Sequence, residues 1–359
     1  MGEYLLEVQD LKTYFKVRAG RVRAVDGVSF GVRPGEKVGV VGESGCGKSV
    51  TALSIMRLLP KPAGEYAGGG ILFDDQDLLD LSEREMRRIR GGKIGMIFQD
   101  PMTCLNPTMT VGKQIGEALR IHLKLDKDEA QKRAISLLQQ VGIPAAEERV
   151  NSYPHQFSGG MRQRVMIAIA LACNPKLLIA DEPTTALDVT VQAQILELIN
   201  GVCSDFGTAV ILITHDLGVV AGMCDRVVVM YAGKVVETAT TNELFANPRH
   251  PYTLGLLASV PRLDEKRHAQ LKTIEGAPPN LIKPPSGCPF MPRCTFARAI
   301  CRTNPPLDPV EGNANHLKAC WVNVTDPKEQ AYAERRRLAR SEKQQAVVKE
   351  IAASMLEEK

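Results

Sequence analysis

The eight residues Gly42-Glu-Ser-Gly-Cys-Gly-Lys-Ser49 decide the fold of this chain. They follow an apolar strand pattern, Lys37–Val41, and precede a helical pattern, Ser49–Leu59. They fit G-x-x-x-x-G-K-[ST], in which glycines let successive backbone N–H groups converge on phosphate oxygens at a helix N-terminus. Lys48 would then reach the β- and γ-phosphates, and the Ser49 hydroxyl would bind Mg²⁺. A glycine-rich turn with a chance lysine is the alternative, which the strand–loop–helix setting disfavours.

Further short apolar runs alternate with helical patterns along the chain. The predicted strands are Lys93–Phe98, Leu177–Ala180, Ala209–Thr214 and Arg226–Tyr231. The alternation predicts an α/β fold with a mostly parallel core sheet, and the strand patterns before residue 40 predict an N-terminal antiparallel β region. A helical insert is predicted over residues 100–172, with helices at Val111–Leu123, Lys127–Val141 and Gly160–Cys173.

Composition narrows the class of protein. A hydrophobic content of 44% with mixed charge is typical of a soluble globular protein, and a net charge of +4 over 359 residues gives no reason to expect a nucleic-acid partner. The N-terminus lacks the basic and apolar regions of a secretory signal. No apolar run approaches the roughly 18–20 residues that cross a bilayer. We therefore expect a cytosolic protein whose thiols stay reduced, which disfavours disulfides.

The pattern changes near residue 245, where prolines become dense and the alternation stops. We predict a catalytic domain over residues 1–250, a small irregular Pro-rich and Cys-containing structural or regulatory domain over 251–326, and a charged tail over 327–359. Weak helical spacing at Val348, Ile351 and Met355 predicts a solvated helix in the tail.

Two carboxylates follow the predicted strand Leu177–Ala180. Ligands of open α/β sheets bind at the carboxyl ends of the strands. Asp181 is therefore expected to contact Mg²⁺, and Glu182 to polarise an attacking water. Two acids after a strand can also cap the next helix, although a preceding phosphate loop makes the catalytic interpretation stronger.

A second motif of small residues, Ser158-Gly159-Gly160, begins an apolar helix and would also suit phosphate. One chain hardly needs two such motifs for one triphosphate, whereas two chains facing head to tail would each complete the other's site. Gln99 and His215 each end a predicted strand, and the His215 imidazole could hold the γ-phosphate.

In this order and context, residues 4–250 resemble the ATP-binding subunits of ABC transporters. The resemblance assigns the Walker A motif to Gly42, Glu43, Ser44, Gly45, Cys46, Gly47, Lys48 and Ser49, with the following Val50. The Q-loop is Gln99, and the signature motif is Ser158, Gly159 and Gly160. Walker B is Leu177–Glu182, the D-loop is Ala186-Leu-Asp188, and the switch histidine is His215. It implies ATP hydrolysis by Glu182, His215 and Lys48, with Mg²⁺ held by Ser49, Gln99 and Asp181.

The same resemblance implies an aromatic residue stacked on adenine. Phe15 fits best and Tyr14 is the rival, although either could be an ordinary strand aromatic. The signature departs from the family pattern, since Phe157 and Met161 replace the usual Leu and Gln. Met161 removes a side-chain donor, so the two composite sites of a heterodimer could be unequal. Cys46 lies at a helix N-terminus, a place that can lower the pKa of a thiol. We interpret it as a tolerated small residue and not as a catalyst, and we expect alkylation there to block nucleotide binding.

The second half of the chain points to a cargo. Arg249-His-Pro-Tyr-Thr253, the Pro-rich stretch and four late cysteines resemble the C-terminal extension of the ATP-binding subunits of oligopeptide and dipeptide importers. Phe98–Thr103 and Tyr153–Met161, within the first domain, resemble the same subgroup. This subgroup implies a second homologous ATP-binding subunit, two integral membrane permease subunits and an extracytoplasmic binding protein, with the chain peripheral to the cytoplasmic face of the inner membrane. Importers of nickel and glutathione share the extension. A soluble ABC-type ATPase acting on DNA or ribosomes, and a non-hydrolysing regulatory subunit, are further alternatives.

Cys288, Cys294, Cys301 and Cys320 have the spacing C-x5-C-x6-C-x18-C. Zinc sites usually have tighter C-x2–4-C spacing. Four thiolates at looser spacing suit a cubane cluster, and the importer resemblance implies 4Fe-4S. Zinc and free thiols remain the alternatives.

Overall fold

A computed structural model describes residues 3–185, 188–259 and 274–340. Ala186 and Leu187 of the predicted D-loop lie outside the described residues, as does the part of the tail that holds Val348, Ile351 and Met355. Of the predicted tail, residues 327–340 are helical.

The N-terminal part of the chain forms a four-stranded antiparallel sheet. Its strands are β1 (Leu6–Val17), β2 (Gly20–Val32), β4 (Gly64–Phe73) and β5 (Gln76–Asp77), in the order β2-β1-β4-β5. Thr13 of β1 forms a buried hydrogen bond of 2.9 Å with Ser54 in the helix after the phosphate loop. The antiparallel sheet therefore packs directly against that helix.

The core is an eight-stranded sheet in the order β11-β12-β10-β9-β3-β8-β7-β6. Its strands are β3 (Lys37–Val41), β6 (Ile94–Ile97), β7 (Leu177–Asp181), β8 (Ala209–Thr214), β9 (Arg226–Tyr231), β10 (Lys234–Thr240), β11 (Asp308–Val310) and β12 (Asn313–Lys318). The five strands from β9 to β6 are parallel. Every residue of β7 and β8 is buried, as expected for parallel strands covered on both faces. The predicted α/β fold with an antiparallel β region is confirmed.

The helices lie largely where the periodicity predicts them. They are α1 (Lys48–Ile55), α2 (Glu83–Ile89), α3 (Pro101–Cys104), α4 (Val111–His122), α5 (Lys127–Gln140), α6 (Ala146–Arg149), α7 (Gly159–Leu171), α8 (Val189–Phe206), α9 (Leu217–Met223), α10 (Thr241–Ala246) and α11 (Pro251–Ala258), with short 3-10 helices at Pro154–Gln156 and Ala299–Arg302. Helices α3 to α7 form the predicted insert between β6 and β7. The predicted extent of α1 was too long, because Arg57 adopts a left-handed conformation that ends the helix.

The late part of the chain joins the core sheet. Strand β12 pairs antiparallel with β10, where Glu237 lies opposite Lys318, and β11 pairs with β12. The side chain of Phe290 is buried in the same core cluster as Tyr231 and Tyr252. The domain boundaries stay a prediction, but the extension shares a sheet and a core with the preceding residues.

Candidate active site

The predicted phosphate loop connects β3 to α1 and requires glycine at its bends. Gly42 and Gly47 have φ angles of 155° and 105°. A Cβ added at Gly42 would clash with the carbonyl oxygen of Met230, and one at Gly47 with the carbonyl oxygen of Ala24. No side chain caps helix α1, which begins at Lys48, so its first N–H groups remain available to phosphate oxygens.

The Lys48 ammonium lies over this loop. It is buried and donates hydrogen bonds of 2.7 Å to the carbonyl oxygen of Gly42 and 3.1 Å to that of Glu43. Cys46 is also buried, and burial raises the pKa of its thiol even though Lys48 opposes this effect. The expectation of a lowered Cys46 pKa was therefore wrong, because burial outweighs the helix terminus and the nearby cation.

Two of the three residues expected to hold Mg²⁺, Ser49 and Asp181, are in direct contact. The Ser49 hydroxyl of α1 donates a hydrogen bond of 2.9 Å to Asp181 Oδ1 at the end of β7. Burial raises the pKa of Asp181, the Ser49 hydrogen bond opposes that shift, and the neighbouring Glu182 charge adds to it. A hydroxyl and a carboxylate side by side match the oxygen ligands that Mg²⁺ prefers, so these residues fit the ion.

Glu182 contacts residues that follow the two strands next to its own in the parallel part of the core sheet. Its Oε2 atom accepts hydrogen bonds from Gln99 Nε2 after β6, at 3.1 Å, and from the Thr185 hydroxyl, at 2.9 Å. Nδ1 of His215, which follows β8, lies 3.7 Å from the same oxygen. Glu182 itself has a φ of 45°, a left-handed conformation that is uncommon for non-glycine residues and costs free energy. The carboxylate is thus aimed where Gln99, His215 and an attacking water could share it.

Sequence reasoning missed Thr185, which orients Glu182. A hydroxyl three residues after the carboxylate, inside the turn, is the only local signal for it. Tyr252 and Arg293, which contact the phosphate loop at Glu43, were also missed, because they lie more than 200 residues away along the chain.

Of the two candidate adenine-binding aromatics, Tyr14 is engaged elsewhere. Its hydroxyl donates a hydrogen bond of 2.6 Å to Asp26, and burial together with this bond raises the pKa of Tyr14 to about 12. Phe15 is half-buried and lies close to Gly64, whose added Cβ would be 3.3 Å from its ring. The adenine contact of Phe15 stays a prediction.

The signature residues begin helix α7 on the surface. Ser158 is the N-cap of this helix and accepts a hydrogen bond of 3.4 Å from the Met161 N–H, while Gly159 faces open space. Asp188 likewise caps α8 by accepting from Val191 N–H at 2.9 Å, and a Cβ on Gly160 would lie 3.2 Å from Val191. The signature and the described end of the predicted D-loop are therefore neighbours. Both are exposed.

The four late cysteines line one small cavity together with Trp321. Burial and the neighbouring thiols raise the pKa of Cys294 to about 12, and burial raises that of Cys320 to about 11. Cys288 shows the same direction of shift. Across the described residues, no group of three or more His, Cys, Asp or Glu side chains is arranged to hold a metal ion. The thiols thus share a cavity without forming a ready-made single-ion site.

Known proteins resemble the chain over nearly its whole length. Residues 25–185 match the family described as ABC transporter, and residues 236–301 match the family described as oligopeptide/dipeptide transporter, C-terminal region. The chain is 54% identical over 353 residues to the oligopeptide transport ATP-binding protein OppD of Bacillus subtilis (strain 168), covering 97% of this chain and 98% of that protein. It is 55% identical to the dipeptide transport ATP-binding protein DppD of the same strain, covering 89% and 95%.

Solved structures share the fold. A dimeric ATP-binding cassette, MJ0796, in a post-hydrolysis state with ADP and Pi is 29% identical, with a TM-score of 0.60, covering 66% of this chain and 98% of that one. CbiO1 from Clostridium perfringens, part of the ABC transporter complex CbiONQ, is 31% identical, with a TM-score of 0.58, covering 68% and 92%. None of the helices described here is both long enough and apolar enough to cross a membrane.

Proposed function

The chain belongs to the ABC transporter family, among the ATP-binding proteins of oligopeptide and dipeptide transport, and we propose that it hydrolyses ATP to drive peptide import through separate membrane subunits. One observation carries the proposal. A phosphate loop, a Ser49–Asp181 pair and Glu182 with Gln99 and His215 meet at one edge of the core sheet.

Different residues of the site serve phosphate binding and proton transfer during hydrolysis. Lys48 exchanges its contacts to the Gly42 and Glu43 carbonyl groups for the β- and γ-phosphates. Ser49, Asp181 and Gln99 would hold Mg²⁺, which when bound neutralises charge on the phosphate oxygens. Glu182 accepts a proton from the attacking water, and His215 supports the γ-phosphate.

The exposed signature supports a head-to-tail dimer. A surface helix N-terminus with a Ser and two Gly residues can bind a phosphate that this chain's own loop does not hold. The partner is a second homologous ATP-binding subunit, and Met161 favours a heterodimer with unequal sites. Two permease subunits and, indirectly, an extracytoplasmic binding protein complete the importer. The chain lies peripherally at the cytoplasmic face of the membrane.

The four late cysteines are proposed to hold a 4Fe-4S cluster. Support comes from the shared cavity and from a donor set made only of thiols, which fits iron–sulfur chemistry. A tetrahedral zinc ion would need all four sulfurs at about 2.3 Å from one point. Cys288, Cys294, Cys301 and Cys320 would hold the cluster through their thiolates, and zinc is the alternative. Its role is structural or regulatory, because the cysteines are not part of the site built around Glu182.

The hydrolysis proposal is tested with Glu182→Gln, which keeps the size of the side chain but removes the base. In the assembled transporter, ATP turnover should fall by about 10²–10⁴-fold while ATP binding persists. Glu197→Gln, on the exposed face of α8, is the matched control and should keep wild-type turnover. Near-normal hydrolysis by the Glu182 variant would refute the assigned role.

The cargo is tested by uptake into proteoliposomes that contain the whole transporter and its binding protein. Labelled di- and oligopeptides should enter in an ATP-dependent manner, whereas Ni²⁺ and glutathione should not. ATP-driven uptake of either of these in place of peptides would reassign the cargo. Copurification of the chain with nucleic acid, and not with membranes, would favour the soluble alternative.

The cluster is tested by purification without oxygen. The protein should be brown, absorb near 400 nm and contain iron and acid-labile sulfide. Cys294→Ser should reduce both, whereas Cys104→Ser, at an exposed thiol, should not. A colourless protein loaded with zinc would contradict the proposal.

A further inference from the structure

Glu43 places a carboxylate inside the loop that is expected to bind a triphosphate. Its carboxylate adds a negative charge beside the expected phosphate position, and two like charges repel each other strongly where water is partly excluded. The structure compensates this charge. Arg293 of the C-terminal extension donates to both carboxylate oxygens of Glu43, at 2.6 and 2.9 Å.

Arg293 is held in place by the extension itself. Its guanidinium also donates to the carbonyl oxygens of Glu275 and Ile274, each at 3.0 Å. It lies 5.8 Å from the ring centre of Tyr231 and 6.0 Å from that of Phe290, and its side chain is only 5% exposed. A buried guanidinium fixed on several sides presents a preorganised fork to the carboxylate, unlike a flexible surface ion pair.

The extension also holds the backbone of Glu43. The Glu43 N–H donates a hydrogen bond of 2.8 Å to the hydroxyl of Tyr252 in α11. Tyr252 is fully buried and packs against Tyr231, with ring centres 4.6 Å apart, and against Phe290, at 5.4 Å. The conformation and the charge of the loop at Glu43 therefore both depend on residues that lie beyond His215, the last of the predicted catalytic residues in the sequence.

We propose that Arg293 and Tyr252 are positioning residues for nucleotide binding. Through Glu43 they neutralise and hold the phosphate loop, so the C-terminal extension sets the affinity of the site for ATP. This inference rests on the proposed function, since it assumes that Gly42–Ser49 binds nucleotide. Neither residue touches the reacting atoms, so their loss should raise KM for ATP and leave kcat largely unchanged.

The test measures equilibrium binding of ATP, and of adenosine for comparison, to the full-length chain and its variants. Arg293→Gln leaves the Glu43 carboxylate uncompensated and should weaken ATP binding by about tenfold or more. Glu43→Gln leaves Arg293 with excess positive charge and should bind ATP at least as tightly as the wild type. The double variant should return close to the wild-type affinity. Tyr252→Phe, which removes one acceptor, should weaken binding by roughly 2- to 10-fold.

Adenosine lacks phosphates, so its affinity should not change in any variant. Arg298→Gln is the matched control, because Arg298 of the extension pairs with Glu329 of the tail helix at 2.6 Å, and it should leave ATP affinity unchanged. The inference would be overturned if Arg293→Gln and Glu43→Gln changed the affinity for ATP in the same direction, because Arg293 would then have only a structural role. If Arg293→Gln does not fold, the ATP affinities of Glu43→Gln and Tyr252→Phe test the inference by themselves. A wild-type chain that binds no ATP would instead refute the proposed function.

Discussion

The buried His250 should make the stability of the protein depend on pH. It is the N-cap of α11, where its Nδ1 atom accepts a hydrogen bond of 3.1 Å from the Tyr252 N–H. An acceptor nitrogen must be unprotonated, so this contact exists only with neutral imidazole. Burial lowers the pKa of His250 to about 4, although the nearby Glu237 charge partly opposes the shift.

The sign and size of the effect follow from linkage. Below its ordinary pKa of 6.5, His250 takes up a proton in the unfolded chain but not in the folded protein. Stability is therefore lost as the pH falls from about 6.5 to about 4. The difference between the two pKa values corresponds to about 3 kcal/mol in total, of which roughly 2 kcal/mol is lost by pH 5.

The assay is urea unfolding at pH 7.5, 6 and 5, comparing the wild type with His250→Asn. Asn can still cap α11 through its side-chain oxygen but does not titrate. Between pH 7.5 and pH 5, the free energy of unfolding should fall by roughly 2 kcal/mol less in the variant than in the wild type. His155→Asn, at an exposed histidine, should retain the wild-type slope. Parallel curves for wild type and His250→Asn would refute the reasoning.

Three further substitutions test the site and its support. Gly42→Ala should abolish ATP binding and destabilise the protein by about 1–3 kcal/mol, because the added Cβ would clash with Met230. Ligand titration measures the loss of binding and thermal unfolding the loss of stability. Gly222→Ala, whose Cβ would meet open space, is the control. Asp181→Asn should retain Mg²⁺-free ATP binding but lose Mg²⁺-dependent hydrolysis by about 10²-fold or more, and an unchanged Mg²⁺ titration would count against Asp181 as a ligand. Glu237→Ala should lower the free energy of unfolding by about 3–5 kcal/mol, since the buried Glu237 pairs with His316 at 2.7 Å and accepts a hydrogen bond from the backbone N–H of His250. A loss below about 1 kcal/mol in urea unfolding would contradict this prediction.

Much of the candidate site could be predicted from short stretches of sequence. Walker A, Asp181 and Glu182, Gln99 and His215 each follow a strand whose apolar pattern is visible, and parallel strands bring their carboxyl ends to one edge of the sheet. The positions of β3, β8 and β9 agree with the predicted runs for the same reason. Such elements depend on side-chain periodicity and on the backbone conformations that Gly permits, which are properties of neighbouring residues.

The tertiary structure alone decided the contacts that modify this site. The left-handed φ of Glu182, the raised pKa of Cys46 and the engagement of Tyr14 by Asp26 depend on burial and on distant partners. The Arg293–Glu43 pair joins residues 250 positions apart, and β12 reaches β10 across about 80 residues. No local pattern encodes these pairings, because they form only when the chain folds around a common core. Each buried polar or charged group must then find a hydrogen-bonding or charged partner in that core.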